Sequence, residues 1–514
     1  MKRYLLLLLL PLLLLAGCAT NPVTGKNELS LVSEAQELAI GAQQYSPARQ
    51  SQGGDYVVDR QLTAYVNEVG QRLAAVSDRK LPYEFKVLNN SIPNAWALPG
   101  GKISINRGLL TELKSESELA AVLGHEIVHA AARHGAQQMS KGMLLQTAVL
   151  GTVVATQGSQ YGNLAQLGAN IGAQLISQKY GRDAERESDL YGMQYMVRAG
   201  YDPQGAVDLQ RTFVKLSEGR QQGWLSGLFA SHPPSQERVQ RNMALLATLP
   251  KGGERGVERY RSKTRQLIRS KPAYEAYDKG REALAKGDLA TASRLASRAV
   301  AGQPREALFY GLKGDLEQKH GRLHSAVKQY DKASSLNPSF FYFYLQRGLV
   351  NESLNRSAQA QADLQRSVKL LPTANAYNAL GNIARKAGRT DEAKQYYAKV
   401  AGGEGELGKQ AYGALVELDL QDNPAKYIQI QAGQDRQGRI VAQISNPTPR
   451  NIGGLKIVVQ FQNAAGQMQQ LQLALRGSVA AGSQQVFDLG LTGKLTPEQI
   501  NSLRAMITAA RLVR

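Results

Sequence analysis

A period of 34 residues in the second half of the chain is the feature that most constrains its fold. Small residues and prolines recur with this step, or with 33 at the last unit, at Gly280, Gly314, Gly348 and Gly381, at Ala292, Ala326, Ala360 and Ala393, and at Pro304, Pro338 and Pro372. A unit of this length forms two helices and a turn, and it buries its apolar face only by stacking on neighbouring units. The sequence therefore predicts an α-solenoid over residues 263–420.

The period, the small residues and the proline at the end of each unit are the signature of tetratricopeptide repeats. Stacked repeats form extended surfaces that bind other proteins. We expect this array to bind client proteins or an assembly machine. Helical hairpins without a binding groove would fold in the same way, so this alternative concerns only the function of the array.

The residues after Pro424 change to strand-like patterns. Residues 427–431, 440–445, 455–461 and 468–475 alternate or run apolar between turns that contain Gly, Asn and Pro. This spacing predicts a β-sandwich-like domain over residues 421–514. No motif in it indicates a chemical function.

The first residues of the chain resemble a bacterial export signal. Lys2 and Arg3 precede an apolar run over residues 5–15 that only Pro11 interrupts, which is typical of a signal peptide, here residues 1–17. The residues before Cys18 resemble a lipobox, in which the cysteine becomes the lipidated first residue of the mature protein. An ordinary signal peptide followed by an accidental cysteine is the alternative. We expect a lipid-anchored protein of the bacterial cell envelope, on the periplasmic face of the outer membrane.

The charge of the chain adds little to this picture. Its 62 Lys and Arg outnumber its 42 Asp and Glu, and the formal net charge is +20. A basic surface is either simply solvated or attracted to anionic lipid headgroups near the anchor. We expect no nucleic-acid partner, because the chain carries an export signal and lacks any nucleic-acid-binding motif.

Residues 125–129 read His-Glu-Ile-Val-His and indicate a metal site. Residues four apart on a helix share a face, so His125 and His129 can reach one metal ion. The pattern is typical of zinc hydrolases, in which the glutamate, here Glu126, is the general base for the attacking water. A buried amphipathic helix whose histidines only form hydrogen bonds would show the same five residues.

The surrounding residues support a helix at this position. Ser115 and Glu118 have the spacing of a capping box that opens a helix, and Gly135 is the expected stop. Before it, residues 94–105 predict two strands joined by a Pro-Gly turn. The first strand, Asn94, Ala95, Trp96 and Ala97, is a candidate edge that holds an extended peptide substrate, although a plain hairpin fits equally well. Residues 59–75 predict a helix, and residues 20–47 a polar lead-in on the surface.

A catalytic zinc needs a third protein ligand. Glu185 and Asp189 are four apart in an apparent helix, so they share a face. Glu185 can ligate the metal while Asp189 accepts a hydrogen bond from a ligand imidazole. Helical geometry turns Glu187 by about 200° from Glu185. A charged, solvated helix with internal ion pairs is the alternative.

These motifs together resemble a known family. His-Glu-x-x-His followed by Glu-x-x-Ser-Asp at residues 185–189 is similar to the HtpX, CAAX-peptidase and BepA/LoiP-like zinc metalloendopeptidases. Residues 94–101, 133–135, 231–234 and the lead-in Asn-Pro-Val-Thr-Gly at 21–25 match further landmarks of that family. The resemblance covers roughly residues 20–250, and Ser188 stands where alanine is more usual.

The resemblance implies a fold and a set of roles. The fold is multidomain: a mainly α, zincin-like metallopeptidase domain with a small β-sheet over residues 18–262, then the α-solenoid and the β-sandwich. One Zn²⁺ per chain is held by His125, His129 and Glu185, with Asp189 supporting a ligand. His232 either stabilises the oxyanion or occupies the fourth position and keeps the enzyme inactive. Arg238 orients the pocket, and His134 is a helix-end residue and not a ligand.

Three functions follow from these features. The first is a zinc-dependent endopeptidase that degrades misfolded or misassembled envelope proteins, with repeats that bind clients or outer-membrane assembly machinery. The second is a chaperone or scaffold in outer-membrane protein assembly, with proteolysis secondary. The third, an inactive relative, is disfavoured because the ligand set is intact.

Overall fold

The computed structural model describes residues 18–150, 180–219, 232–403, 405–462, 466–492 and 496–513. The predicted signal peptide, residues 1–17, lies outside them. The chain divides into two compact units, and the boundary along the sequence lies between Phe343 and Tyr344. In the ranges given above, no helix combines the length and the hydropathy that a membrane span requires.

The first unit contains the metal-site motif and the first repeats. Its described strands are β1 (Cys18–Thr20), β2 (Asn27–Leu29), β3 (Glu84–Leu88), β4 (Ala95–Leu98) and β5 (Lys102–Asn106). Its described helices are α1 (Glu34–Ser51), α2 (Arg60–Ala74), α3 (Arg107–Leu110), α4 (Glu116–Ala131), α5 (His134–Leu150), α6 (Arg182–Arg198), α7 (Gln204–Gly219), α8 (Gln236–Leu246), α9 (Val257–Ala285), α10 (Leu289–Gly302), α11 (Ala307–Lys319) and α12 (Leu323–Leu336).

A three-stranded sheet with the order β3-β5-β4 lies beside the metal-site helix. β3 runs parallel to β5, whereas β4 pairs with β5 in antiparallel register. Gly100 and Gly101 form the turn between β4 and β5 with φ values of 76° and 79°, which L-residues rarely adopt. The predicted strand-turn-strand is therefore confirmed, and β4 is an edge strand of this sheet.

Helix α4 is the centre of the first core. Ser115 caps it by accepting a hydrogen bond from the backbone N–H of Glu118, as predicted. Its apolar residues Leu119, Leu123 and Ile127 are fully buried. It packs against α2, α6 and α7, so the metal-site motif lies on a rigid, enclosed element.

Two glycines allow α4 and α6 to cross closely. A Cβ on Gly192 would lie 3.1 Å from the backbone nitrogen of His125, and a Cβ on Gly124 would lie 3.2 Å from the carbonyl oxygen of Gly192. Larger residues would separate the two helices. The close crossing places the acidic residues of α6 beside the histidines of α4.

The predicted stop of α4 at Gly135 is wrong. The helix ends at Ala131, and Arg133 takes the left-handed conformation with a φ of 64°. Its guanidinium donates hydrogen bonds to Glu37 Oε1 (2.9 Å) and to the carbonyl oxygen of Val32 (2.7 Å), which stabilises this conformation. Gly135 instead lies inside α5, against the ring of Pro99.

The lead-in is more structured than the sequence analysis expected. β1 pairs with β2, and α1 covers Glu34–Ser51 with a capping box formed by Ser33 and Gln36. Glu37 of α1 is buried and bonds to both Arg79 and Arg133. Buried ion pairs of Glu37 and the packing of Tyr45 and Ala48 against Trp96 together attach α1 to the core.

The first repeats belong to the same compact unit as the metal-site region. Helix α9 runs without a break through residue 262, where the metallopeptidase domain was predicted to end. Glu306 is buried and accepts hydrogen bonds from Asn89 Nδ2 (3.0 Å) and the Tyr274 hydroxyl (2.6 Å). The boundary between the two units lies inside the repeat array. The predicted domain limits remain predictions.

The second unit contains the later repeats and the C-terminal strands. Helix α13 (Phe341–Ser353) contains the boundary, and the described helices that follow are α14 (Ser357–Leu370), α15 (Ala374–Lys386), α16 (Thr390–Ala398), α17 (Glu406–Asp419), α18 (Pro424–Tyr427) and α19 (Pro497–Ser502). The described strands are β6 (Gln429–Gln434), β7 (Arg439–Asn446), β8 (Ile452–Gln462), β9 (Met468–Ala474), β10 (Ser478–Val479), β11 (Ser483–Thr492) and β12 (Arg504–Leu512).

The recurring glycines of the repeats mark close contacts with aromatic rings. A Cβ on Gly314 would lie 2.5 Å from the ring of Tyr330, and one on Gly381 would lie 2.7 Å from the ring of Tyr397. Both rings are buried. The contact recurs at the same positions of two repeats, which confirms the predicted helical hairpins.

The C-terminal strands form two sheets around one core. One sheet has the order β10-β8-β12, with β9 also paired to β8, and the other has the order β11-β7-β6. Ile444 of β7, Ile457 of β8 and Phe487 of β11 belong to the same buried cluster. Two antiparallel sheets with a shared core confirm the predicted sandwich-like region.

Candidate metal centre

Helix α4 presents both motif histidines to one point. His125 Nε2 and His129 Nε2 are 3.0 Å apart, and His129 is buried. Tyr180 stacks on the His129 ring with a centroid distance of 4.0 Å. The two nitrogen atoms are therefore directed at a common site, as the four-residue spacing predicts.

Glu185 of α6 faces the two histidines. Its Oε2 lies 3.5 Å from His125 Nε2, and its Oε1 lies 3.4 Å from His129 Nε2. The carboxylate is buried, and the close crossing at Gly124 and Gly192 brings it there. The helix expected from the sequence thus supplies an acidic residue to the motif.

His232 comes from the segment just before α8. Its Nδ1 lies 2.8 Å from Glu185 Oε1 and 3.3 Å from His125 Nε2. Donor atoms of His125, His129, Glu185 and His232 all lie within 4.8 Å of one another. The residue with the weakest sequence signal therefore joins the same cluster.

Charge and burial oppose each other in this cluster. Burial alone lowers the pKa of His125, but the negative charges of Glu185 and Asp189 outweigh it and raise that pKa to about 10. Burial lowers the pKa of His129 well below its usual value. Burial raises the pKa of Glu185, but His232 and His125 outweigh it and hold the pKa well below its usual range.

Glu126 lies beside the cluster. It is buried, and its Oε2 has no hydrogen-bond partner among the described residues. The other oxygen lies 3.6 Å from His232 Nε2. Burial raises the pKa of the Glu126 carboxyl, as a residue that takes up a proton requires.

Asp189 supports His125 from the side opposite the cluster. Its Oδ1 lies 3.1 Å from His125 Nδ1, so it can accept a hydrogen bond from the Nδ1–H and leave Nε2 free to bind metal. Arg238 donates two hydrogen bonds to the same carboxylate, at 2.9 and 2.7 Å. Burial raises the pKa of Asp189, but the charge of Arg238 outweighs it and lowers that pKa.

A second support, which the sequence analysis missed, lies behind His129. His134 Nδ1 is 2.9 Å from His129 Nδ1, and His134 Nε2 is 3.2 Å from Glu187 Oε2. His134 was expected to be only a helix-end residue, and Glu187 was expected only to face away from Glu185. The one signal that the sequence offered was position along the chain: His134 follows His129 by five residues, and Glu187 follows Glu185 by two.

These donors suit zinc. Two imidazoles and a carboxylate form one of the ligand sets of catalytic zinc, and the histidine rings have partners that fix their orientation. The unpaired Oε2 of Glu126 next to the donors is the polar group expected of a site that accommodates more than the protein atoms. The residues therefore fit a zinc ion.

A cleft connects the cluster to the sheet. Ala95 of β4 lines it together with His125 and Glu126, and Met193 and Phe213 add apolar surface. Trp96 packs instead against Tyr45, with ring centroids 6.0 Å apart. Cys18 is the first residue of β1.

Geometry and donors define the class of protein as a metallopeptidase with a His-Glu-x-x-His motif. Residues 60–244 match peptidase family M48. Residues 277–339, 312–374 and 374–402 match the tetratricopeptide repeat. The domain matches thus cover the metal centre and the repeats separately.

Curated relatives agree with these matches. Metalloprotease YcaL of Escherichia coli is 31% identical over 44% of this chain and 90% of its own length. The beta-barrel assembly-enhancing protease of E. coli is 27% identical over 65% of this chain and 75% of its length. That of Yersinia pestis is 34% identical over 36% of this chain, but the aligned part is 38% of its length. The chain belongs to peptidase family M48.

Proposed function

We propose that the protein is a zinc-dependent endopeptidase of the bacterial cell envelope that degrades misfolded or misassembled envelope proteins. One observation carries this proposal: the donor atoms of His125, His129 and Glu185 converge, and the buried Glu126, one of whose oxygens has no partner among the described residues, lines the same cleft. The three donors would bind one zinc ion. Bound there, zinc would supply a Lewis acid that polarises a peptide carbonyl and activates water.

The side chains of the protein divide the remaining work. Glu126 Oε2 takes the proton of the attacking water and returns it to the leaving amine, and its raised pKa suits this exchange. Asp189 keeps the proton of His125 on Nδ1. General acid-base help of this kind is worth a factor of roughly 10² to 10⁴ in rate.

His232 has two possible roles, and its position favours one of them. Its Nδ1 lies within 3.3 Å of His125 Nε2 and 2.8 Å of Glu185 Oε1, which suits a fourth metal ligand. A site with four protein ligands leaves no position for water. We therefore assign this conformation to a latent enzyme, in which His232 must withdraw before a peptide is cleaved and can then stabilise the oxyanion.

Strand β4 is the proposed docking site for an extended substrate. Among the described strands it pairs only with β5, and Ala95 shares the cleft with His125 and Glu126. A peptide paired with the free edge over Asn94, Ala95, Trp96 and Ala97 would gain backbone hydrogen bonds with little sequence preference. That property suits an enzyme for misfolded proteins.

Cys18 and the repeats give the proposal its location and its partners. A lipid on Cys18 would anchor the protein, and we place it on the periplasmic face of the outer membrane. The relatives named beta-barrel assembly-enhancing proteases support a role in outer-membrane protein assembly. The repeats would bind clients or the assembly machinery.

Glu126→Gln tests the enzymatic proposal. The purified full chain should contain one zinc per molecule in both forms, because Glu126 is not a ligand. Digestion of casein should fall by at least a factor of about 10² in the variant. Zinc content by atomic absorption and peptide release are the two measurements.

Two results would contradict this proposal. If the wild-type protein contained no zinc, the proposed metal centre would be wrong. If Glu126→Gln cleaved casein at the wild-type rate, Glu126 would not be the general base. Glu237→Gln is the matched control, because that exposed carboxylate pairs only with Arg186 and Arg241 in the described chain. It should cleave as the wild type does.

A scaffold in outer-membrane assembly is the second candidate function. The alignment with the E. coli beta-barrel assembly-enhancing protease spans 373 residues, more than the 60–244 match to the peptidase family. Similarity beyond the metal centre favours a role for the repeats themselves. Rescue of an envelope defect by Glu126→Gln would favour the scaffold, and failure to rescue would favour proteolysis.

A further inference from the structure

The two motif histidines are supported in different ways. His125 has a carboxylate, Asp189, directly on its Nδ1. His129 has no carboxylate there; its Nδ1 faces the ring nitrogen of another histidine, His134, at 2.9 Å. The asymmetry is unexpected, because both rings direct Nε2 to the same cluster.

A contact between two ring nitrogens requires one proton between them. If His129 is to bind metal through Nε2, its own proton must be on Nδ1. His134 must then accept that proton's hydrogen bond on its Nδ1 and carry its own proton on Nε2. In that form the His134 N–H points at Glu187 Oε2, 3.2 Å away.

Glu187 is what selects this arrangement. A carboxylate accepts and does not donate, so it favours His134 with the proton on Nε2. The opposite arrangement would place a lone pair of His134 against the carboxylate and a proton on the metal-binding nitrogen of His129. His134 is 2% exposed, so no solvent replaces the missing bond.

Residues outside the metal centre fix Glu187 in turn. Lys26 Nζ lies 3.8 Å from Glu187 Oε1. The positive charge of Lys26 therefore lies beside the carboxylate that faces His134 Nε2.

We propose that His134 and Glu187 are positioning residues that fix the protonation form and the orientation of His129. Together they do for His129, through two hydrogen bonds in series, what Asp189 does for His125 through one. This inference rests on the proposed metal centre. Neither residue touches the substrate, and their effect passes through His129.

Glu187→Gln is the test, because its side chain keeps the same size and is 17% exposed, so the protein should fold. The glutamine amide can donate to His134 and so permits the wrong protonation form. We expect zinc to bind 10 to 100 times more weakly than to the wild type, the range seen for partners of metal ligands. Competition with a chelator measures this on the full chain, independently of cleavage.

Asp183→Asn is the matched control. It removes the same charge from the first turn of the same helix, and Asp183 is 93% exposed and pairs with Arg186. Its zinc affinity should equal that of the wild type. Equal weakening in both variants would mean that net charge near the site acts, and it would overturn the proposal.

A spectroscopic measurement is independent of affinity. The chain has 6 histidines, so nitrogen-15 labelling of histidine gives a spectrum simple enough to assign. In zinc-loaded wild type, His134 should carry its proton on Nε2, and in Glu187→Gln this form should be lost or mixed. His134 protonated on Nδ1 in the wild type would overturn the proposal.

The outcomes separate this inference from the proposed function. Zinc bound equally well by the wild type and Glu187→Gln would overturn the role of Glu187 and leave the peptidase proposal intact. A wild type that binds no zinc would overturn both. Weaker zinc binding in Glu187→Gln, with Asp183→Asn unchanged, would support both.

Discussion

The metal centre and the repeat array are stabilised by different means. In the metal centre, partly buried polar side chains bond to each other, as Asp189 does to His125 and Arg238. In the repeats, a missing side chain lets an aromatic ring approach the backbone, as Gly314 does for Tyr330. Charge and hydrogen bonding thus define the first region, and shape defines the second. Substitutions in the two regions should therefore fail in different measurements.

The largest effect is expected from a substitution that keeps shape and removes charge in the metal centre. Glu185→Gln should weaken zinc binding by at least about a hundredfold, since even the partners of ligands change it 10- to 100-fold. The circular dichroism spectrum should stay that of the folded protein. Chelator competition measures the affinity. Unchanged affinity would show that Glu185 is not a ligand. It would also contradict the claim that charge defines the metal centre.

The reverse substitution, which keeps charge and changes shape, belongs in the repeats. Gly314→Ala places a Cβ 2.5 Å from the Tyr330 ring, and overpacking of this kind costs about 1–3 kcal/mol. The unfolding temperature should fall while zinc affinity stays the same. Gly142→Ala is the control, because outside the backbone of its own helix no described atom lies within 4 Å of the new Cβ, and the variant should gain up to about 1 kcal/mol. A stable Gly314→Ala protein would refute the role of shape.

A smaller effect is expected where the repeats do use charge. Asp419 accepts hydrogen bonds from the Tyr427 hydroxyl (2.7 Å) and from Lys426 (3.1 Å), and Lys394 lies 3.0 Å away. Burial raises its pKa, but these donors outweigh burial and hold the pKa below its usual 3.8. The unfolded chain therefore takes up the proton first, and stability from Asp419 is present above about pH 4 and lost as the pH falls below it.

Asp419→Asn should accordingly lower the free energy of unfolding at pH 7 by on the order of 1 kcal/mol and flatten its decline in acid. Denaturant titrations at pH 7 and pH 3 measure both. Asp422→Asn is the control, since Asp422 is 70% exposed and is paired with Lys394 in the described chain. Equal acid sensitivity of Asp419→Asn and wild type would contradict the assignment.

Residue spacing made much of the site predictable. The four-residue steps from His125 to His129 and from Glu185 to Asp189 place donors on two helix faces, and helix geometry alone joins each pair. The 34-residue period predicted the repeats for a similar reason, because each unit buries the same positions against its neighbours. These are regular structures, in which distance along the chain converts directly into direction in space.

The parts that escaped prediction depend on contacts between distant residues. The left-handed conformation of Arg133 just after α4 is stabilised by hydrogen bonds to Glu37 and Val32, which lie 96 and 101 positions earlier. Glu187 matters only because His134 turns toward it across 53 positions. No local pattern reports such pairs, and helix α1 was missed because part of its attachment to the core consists of ion pairs with the distant residues Arg79 and Arg133.

The hairpin at the start of the described chain has a mechanical consequence. β1 begins at Cys18, the proposed lipid site, and pairs at once with β2. Glu28 of β2 then bonds to Gln137, and the backbone N–H of Leu31 donates to Ser140, both on α5. A flexible linker would add about 3.5 Å of reach per residue. Here β1 begins at Cys18 itself, so no linker separates the proposed lipid site from the first strand. With a lipid on Cys18, the enzyme would reach only proteins close to its membrane. The location of a substrate, more than its amino-acid sequence, would then decide whether it is cleaved.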